Sequence, residues 1–167
     1  MKRFLTVLIM LIATAFSYAD EIDNRCKAFL VGDENGNIYY EQNIDEKLPL
    51  ASVTKMMTIL LAFDELKKGN VHLSDKVKVP KEVADIGGSR IWMKSDTDFT
   101  FEDLLKASAI YSANNATQGI AYYLSQGKVD TFVGKMNDKL KKLKIENMIE
   151  YYTPTGLPPH MTGKKMD

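Results

Sequence analysis

The chain of 167 residues is long enough for one domain with its own hydrophobic core and too short for two of ordinary size. Apolar residues make up 45% and charged residues 26% of the chain, which excludes a disordered, collagen-like or membrane-bundle composition. The formal net charge is zero, so the sequence indicates no basic surface for nucleic acid, and the single cysteine excludes an intramolecular disulfide.

Residues 1–19 have the layout of a secretory signal peptide. Lys2 and Arg3 precede the apolar run FLTVLIMLIATAF, and small residues follow at Ser17 and Ala19. The apolar run is shorter than the ~20 residues that a membrane-spanning helix needs. We therefore predict export to the periplasm or the outer face of the cytoplasmic membrane, with cleavage that leaves residues 20–167.

The first predicted elements are a β-hairpin and a long helix. The runs CKAFLVG and NIYYEQN flank Asp33-Glu34-Asn35-Gly36, in which the Asn-Gly pair is a strong hairpin signal. Pro49 disfavours helix at the residue before it, so we place the helix from Ser52 to about Lys68, where a Gly-Asn pair ends it. The apolar positions of this helix cover most of its circumference, which predicts a helix buried in the domain.

Further along, LSDKVKVP predicts a short extended segment and ADIGGSRIWMKSDTDF a loop. Thr100 stands three residues before Asp103, a capping-box pattern that opens the helix FEDLLKASAIY. A break at SANN separates this helix from ATQGIAYYLSQ, and Asp130 is placed to cap the amphipathic helix TFVGKMNDKLKKLK. The proline-rich segment after it is predicted to be irregular.

The motif Ser-x-x-Lys occurs twice, at Ser52–Lys55 and at Ser125–Lys128. Residues three apart on a helix share a face, so the Ser52 hydroxyl and the Lys55 ammonium can come within hydrogen-bonding distance. A serine needs a base to become a nucleophile, and both burial and the helix N-terminus lower the pKa of a lysine. The alternative is a serine cap followed by a lysine that extends into solvent. The second motif lies at the end of a predicted helix and contains a glycine, so it is less suited to form a nucleophilic pair.

Ser112-Ala113-Asn114 falls at the break between two predicted helices, where a loop can present polar side chains to a cleft. A Ser-x-Asn that follows a Ser-x-x-Lys is a pairing found in penicillin-interacting enzymes. From about Cys26 to Leu157 the chain resembles the serine-type D-Ala-D-Ala carboxypeptidases, the low-molecular-mass penicillin-binding proteins. The resemblance is carried by the opening hairpin and by the segments SVTKMMT, GGSRIWMKSDTDFTFEDLLKASAIYSANNAT, FVGKMN and TPTGL.

The resemblance implies an α/β (α+β) fold of the β-lactamase/DD-peptidase type and a reaction in two acyl-transfer steps. Ser52 would attack the D-Ala-D-Ala bond of a peptidoglycan stem peptide, and Lys55 would activate it. Ser112 would pass the proton toward the leaving amine, and Asn114 would hydrogen bond the substrate's peptide group. The resemblance implies no metal or organic cofactor, and it implies that β-lactams acylate the same serine.

The chain departs from this family at the third motif, Lys-Thr-Gly, which it lacks. Met161-Thr162-Gly163 has no lysine and follows the TGL segment too closely. We therefore expect residues 20–167 to be a partial catalytic domain without the C-terminal strands of the sheet. The C-terminal anchor by which many members associate with the membrane would lie beyond residue 167.

Two other functions stay open from the sequence. A serine β-lactamase shares the scaffold and would differ by rapid deacylation, and a non-catalytic module would bind peptidoglycan or β-lactams without turnover. A metal site is not indicated, because His72 and His160 lie at no ligand spacing with another histidine or cysteine.

Overall fold

The structure, a computed structural model, describes residues 26–162, so the predicted signal peptide of residues 1–19 lies outside the described part. The chain divides into two compact units, one up to Glu46 and one from Lys47. The described residues contain two antiparallel two-stranded sheets and five α-helices. The predicted mixed α and β architecture is thereby confirmed.

The first unit contains the predicted hairpin, with β1 (Phe29–Gly32) antiparallel to β2 (Ile38–Gln42). The connection has five residues, 33–37, one more than the four that the sequence predicts. The carboxylate of Asp33 accepts hydrogen bonds from the Asn35 and Asn37 amides and from the Tyr39 hydroxyl. These bonds, led by those from Asn37, lower the pKa of Asp33 to about 2. An aspartate side chain thus organises a loop longer than the one predicted.

The second unit opens with a 3-10 turn (Ala51–Thr54) that leads into α1 (Lys55–Lys67). The predicted helix start is correct in position, although its first turn is 3-10 rather than α. Gly69, with φ +74°, follows the helix end as predicted. The prediction that this helix is buried in the domain is wrong for one stripe of it, since four apolar residues of the 3-10 turn and α1 are exposed: Val53, Met56, Leu60 and Phe63.

The second sheet pairs β3 (Lys76–Lys78) with β4 (Asp98–Thr100), and the short helix α2 (Lys81–Ala84) lies between them in sequence. The predicted loop of residues 84–99 includes the first two residues of β4, and no element is predicted for residues 81–83, where α2 begins. Helix α3 (Phe101–Tyr111) has the predicted bounds and the predicted capping box. The Asp103 amide donates to Thr100 Oγ1 over 3.0 Å, and the Thr100 amide donates to Asp103 Oδ2 over 3.3 Å.

Two further helices complete the unit, α4 (Asn114–Leu124) and α5 (Val129–Leu143). The break before α4 is shorter than predicted and consists of Ser112 and Ala113 alone. The prediction that Asp130 caps α5 is wrong, because Lys128 occupies the cap position and Asp130 lies in the first turn. After α5 the described chain has only a 3-10 turn (Pro159–Thr162), and no strand follows Thr100 within residues 26–162.

Two hydrophobic clusters hold the second unit together, and α1 and α4 contribute to both. The first cluster packs these helices against α3 and the second sheet, with Phe101, Leu104, Val77 and Ile120 at its centre. The second packs them against α5 and the segment after it, through Met57, Ala121, Phe132, Met136, Leu140 and Tyr151. No helix within residues 26–162 has the length and apolar character needed to cross a membrane.

Candidate active site

Ser52 and Lys55 are in direct contact at the start of α1. Lys55 Nζ lies 2.8 Å from Ser52 Oγ. In the 3-10 turn that carries Ser52, residues three apart are eclipsed, which brings the two side chains together. Lys55 is only 3% exposed, whereas Ser52 is exposed. The lysine therefore does not extend into solvent, and an accessible hydroxyl is paired with a buried amine.

Burial lowers the pKa of Lys55 below its ordinary value, because a desolvated ammonium is disfavoured relative to the neutral amine. Its second partner is the main-chain carbonyl of Thr155, 3.2 Å from Nζ. Lys55 makes no ion pair with any residue in the described part of the chain. A lysine in these surroundings is suited to accept a proton from the serine hydroxyl.

The second Ser-x-x-Lys motif is not a comparable pair. The Ser125 hydroxyl donates to the Ala121 carbonyl of its own helix over 2.7 Å. Lys128 is exposed, and its main-chain amide donates to the Ser125 carbonyl. The same four-residue pattern thus forms a helix ending at one place and a serine–lysine contact at the other.

Ser112 follows α3 in the left-handed region, with φ 54°. The main-chain amides of Ser112 and Ala113 both donate to the Ala107 carbonyl, the second over 3.1 Å, and these bonds close the end of α3. A residue other than glycine in this region is strained by ~1–2 kcal/mol. The Ser112 hydroxyl makes no hydrogen bond to another residue within 26–162, so the structure does not join it to Ser52 or Lys55.

Asn114 is the first residue of α4 rather than a loop residue, and it is buried. Its amide nitrogen donates to the Gly87 carbonyl over 2.8 Å, and its main-chain amide donates to the Ser89 carbonyl over 2.7 Å. Asn115 adds a bond to the Ile91 carbonyl over 2.8 Å. Two adjacent asparagines therefore fix the 87–91 loop on α4, and nothing in the sequence indicates this role of Asn115. The side-chain oxygen of Asn114 accepts no hydrogen bond from the described residues.

The segment Thr153–Leu157, here called the TPTGL turn, forms the other side of the serine–lysine pair. Besides the Thr155 carbonyl, it offers the Pro154 carbonyl, which accepts a 2.7 Å hydrogen bond from Thr58 Oγ1. Gly156 has φ +77°, and a Cβ built on it would lie 1.8 Å from the Ala51 carbonyl oxygen. Its proline and glycine are turn signals in the sequence, but nothing there shows where the turn docks.

The TPTGL turn also connects the two motifs. A Cβ on Gly88 would lie 2.6 Å from Asn114 Nδ2 and 3.5 Å from Leu157 Cδ2. Leu157 thus packs beside the loop that Asn114 holds, and Thr155, two residues earlier, contacts Lys55. The structure therefore places Ser52, Lys55 and Asn114 around one turn. Within residues 26–162 it contains no cluster of histidine, cysteine and carboxylate side chains that could hold a metal ion.

Comparison with known proteins identifies the family. A family model described as D-alanyl-D-alanine carboxypeptidase matches residues 14–165. The chain is 38% identical to D-alanyl-D-alanine carboxypeptidase DacF of Bacillus subtilis, over 94% of this chain and 43% of that protein. The crystal structure of the D-alanyl-D-alanine carboxypeptidase DacD from Francisella tularensis is similar with a TM-score of 0.76 and 29% identity, over 82% of this chain and 33% of that one.

Penicillin-binding protein D2 from Listeria monocytogenes, solved in an ampicillin-bound form, is also similar, with a TM-score of 0.65 and 25% identity over 78% of this chain and 51% of that one. The chain spans less than half the length of the DacF protein that it matches. The family model, by contrast, covers nearly all of this chain. The chain therefore belongs to the D-alanyl-D-alanine carboxypeptidase family.

Proposed function

We propose that the chain provides the nucleophilic part of a serine-type D-Ala-D-Ala carboxypeptidase that removes the terminal D-alanine from peptidoglycan stem peptides. The observation that carries this proposal is the 2.8 Å contact between the exposed Ser52 hydroxyl and the buried Lys55 amine. The neutral amine of Lys55 takes the hydroxyl proton as Ser52 Oγ attacks the carbonyl carbon of the penultimate D-alanine. D-Alanine leaves, and water hydrolyses the resulting ester on Ser52.

The positions of three further groups support the remaining proposed roles. Ser52 lies in the first turn of its helix, where main-chain N–H groups lack an intrahelical acceptor, so its amide is available to an oxyanion. Asn114 has a side-chain oxygen that no described residue occupies, which suits it to accept a hydrogen bond from a substrate N–H. Ser112, held outside both neighbouring helices, would return the proton to the leaving amine.

We place this activity outside the cytoplasm, on the basis of the predicted signal peptide of residues 1–19. β-Lactams are proposed inhibitors, and the ampicillin-bound form of the Listeria monocytogenes relative supports this assignment. In this proposal the substrate is the peptidoglycan pentapeptide that ends in D-Ala-D-Ala, and Ser52 is the residue that both ligands acylate.

The test is the intact mass of the purified chain after incubation with benzylpenicillin, with circular dichroism to verify the fold. We expect one penicilloyl adduct, its absence in Ser52→Ala and its retention in the matched variant Ser125→Ala. A folded wild-type chain without an adduct would contradict the proposal. Release of D-alanine from a muropeptide then identifies the carboxypeptidase, whereas rapid nitrocefin turnover identifies a β-lactamase, and muropeptide binding without release identifies a non-catalytic module.

A further inference from the structure

Thr58 makes a hydrogen bond that a threonine inside a helix does not usually make. Such hydroxyls commonly donate to the carbonyl four residues earlier in the same helix. Thr117 in α4 follows this pattern, donating to the Ala113 carbonyl over 2.8 Å. Thr58 instead donates to the Pro154 carbonyl, 96 residues away in sequence, over 2.7 Å. Thr58 is completely buried, so this hydrogen bond fixes the position of the Pro154 carbonyl relative to α1.

Thr58 and Lys55 lie three residues apart on one face of α1. Their acceptors are consecutive carbonyls, since Lys55 donates to Thr155 and Thr58 donates to Pro154. The Pro154 carbonyl lies in the same planar peptide unit as the nitrogen and Cα of Thr155. A fixed Pro154 carbonyl therefore fixes the plane from which the Thr155 carbonyl extends. Helix α1 thus holds the TPTGL turn at two adjacent points, and only one of them is the lysine itself.

The orientation of the Lys55 amine depends on this turn. For Lys55 to accept the Ser52 proton, its neutral nitrogen must direct its lone pair at the serine, and its N–H groups must have another acceptor. The Thr155 carbonyl is that acceptor, and no charged group of the described chain pairs with the amine. We propose that Thr58 is a positioning residue for Lys55: by holding the Pro154 carbonyl it fixes the Thr155 carbonyl, which turns the lysine nitrogen toward Ser52.

This role deepens the function proposed above and rests on it, because only a catalytic Lys55 needs this orientation. The effect of Thr58 on the Lys55 amine can nevertheless be measured without turnover. The test is an NMR titration of the Lys55 side chain in the full chain, with its signal assigned by loss in Lys55→Arg. Thr58→Val removes the hydroxyl at nearly constant volume, and Thr58→Ser retains it. A carbonyl acceptor favours the charged ammonium, so its displacement lowers the titration midpoint of Lys55.

We expect Thr58→Val to lower this midpoint by about half a pH unit or more and Thr58→Ser to leave it unchanged. Benzylpenicillin acylation should fall about tenfold in the valine variant and recover in the serine variant. A folded valine variant that titrates as wild type overturns the proposal. If the valine variant does not fold, a serine variant with a shifted midpoint overturns it. If Thr58→Val lowers the Lys55 midpoint but benzylpenicillin does not acylate the wild-type chain, the positioning role stands and the proposed function is refuted.

Discussion

Gly156 lies so close to Ala51 that a Cβ on the glycine would be 1.8 Å from the alanine carbonyl oxygen. Both residues have positive φ, +77° at Gly156 and +46° at Ala51. The residue that immediately precedes Ser52 is therefore packed directly against the TPTGL turn. The close approach requires a residue without a side chain at position 156.

Gly156→Ala should reduce the free energy of unfolding by more than about 2 kcal/mol. The left-handed backbone costs the alanine ~1–2 kcal/mol, and the clash with Ala51 adds a cost of ~1–3 kcal/mol for overpacking. Gly69→Ala is the matched control, since Gly69 has φ +74° and no neighbouring atom within 4 Å of an added Cβ. Urea unfolding measures both changes, and equal losses would show that the contact with Ala51 does not contribute.

Asn137→Ala should lower the free energy of unfolding by about 1–3 kcal/mol, the cost of leaving main-chain groups without partners. Asn137 forms a reciprocal pair with Tyr151, donating to its carbonyl and accepting from its amide, both over 2.9 Å. This pair fixes the chain shortly before the TPTGL turn. Asn70→Ala, which removes a bond to Glu65 on the surface, should change stability by less than about 0.5 kcal/mol. A negligible effect of Asn137→Ala in urea unfolding would contradict this assignment.

The buried lysine predicts that stability rises with pH. The pKa of Lys55 is lower in the folded chain than in the unfolded one, so the unfolded state binds more protons at intermediate pH. Relative to Lys55→Met, the wild-type chain should gain free energy of unfolding as the pH rises through the folded pKa. The gain should end near ~10.4, where the unfolded lysine also loses its proton. Urea unfolding of both proteins at a series of pH values tests this, and a constant difference would mean that Lys55 has the same pKa in both states.

Ser112→Gly should stabilise the chain while abolishing its acylation by benzylpenicillin. Glycine adopts the left-handed conformation of residue 112 without strain, so a gain of up to about 1 kcal/mol is expected. Lys144 has φ 60° at the end of α5, and Lys144→Gly should give a similar gain with acylation intact. Thermal unfolding and intact mass provide the two measurements. A Ser112→Gly variant that is acylated at the wild-type rate would exclude Ser112 from the proton path.

The sequence predicts those parts of this molecule that depend on local chemistry. The capping box at Thr100 and the glycine after α1 were both identifiable, because each is determined by residues a few positions apart. The serine–lysine contact was predictable for the same reason.

The contacts of Thr58 and Gly156 could not be predicted, because their partners lie about 100 residues away. Strand β4 was missed since its three residues are defined by pairing with β3 and not by a pattern of their own. Asn114 was assigned to a loop because its place in α4 depends on bonds to residues 87 and 89, which no local pattern encodes.

The two Ser-x-x-Lys motifs give the chain an internal reference for reactivity. The Ser125 hydroxyl is committed to the carbonyl of Ala121, whereas the Ser52 hydroxyl is exposed beside an amine. A serine-directed reagent should therefore label the Ser52 peptide far more than the Ser125 peptide in the same digest. While both peptides are labelled to a small extent, the ratio of the two labels reports how completely the Ser52 site is assembled, independently of protein concentration. It should fall to that of the unfolded chain in urea.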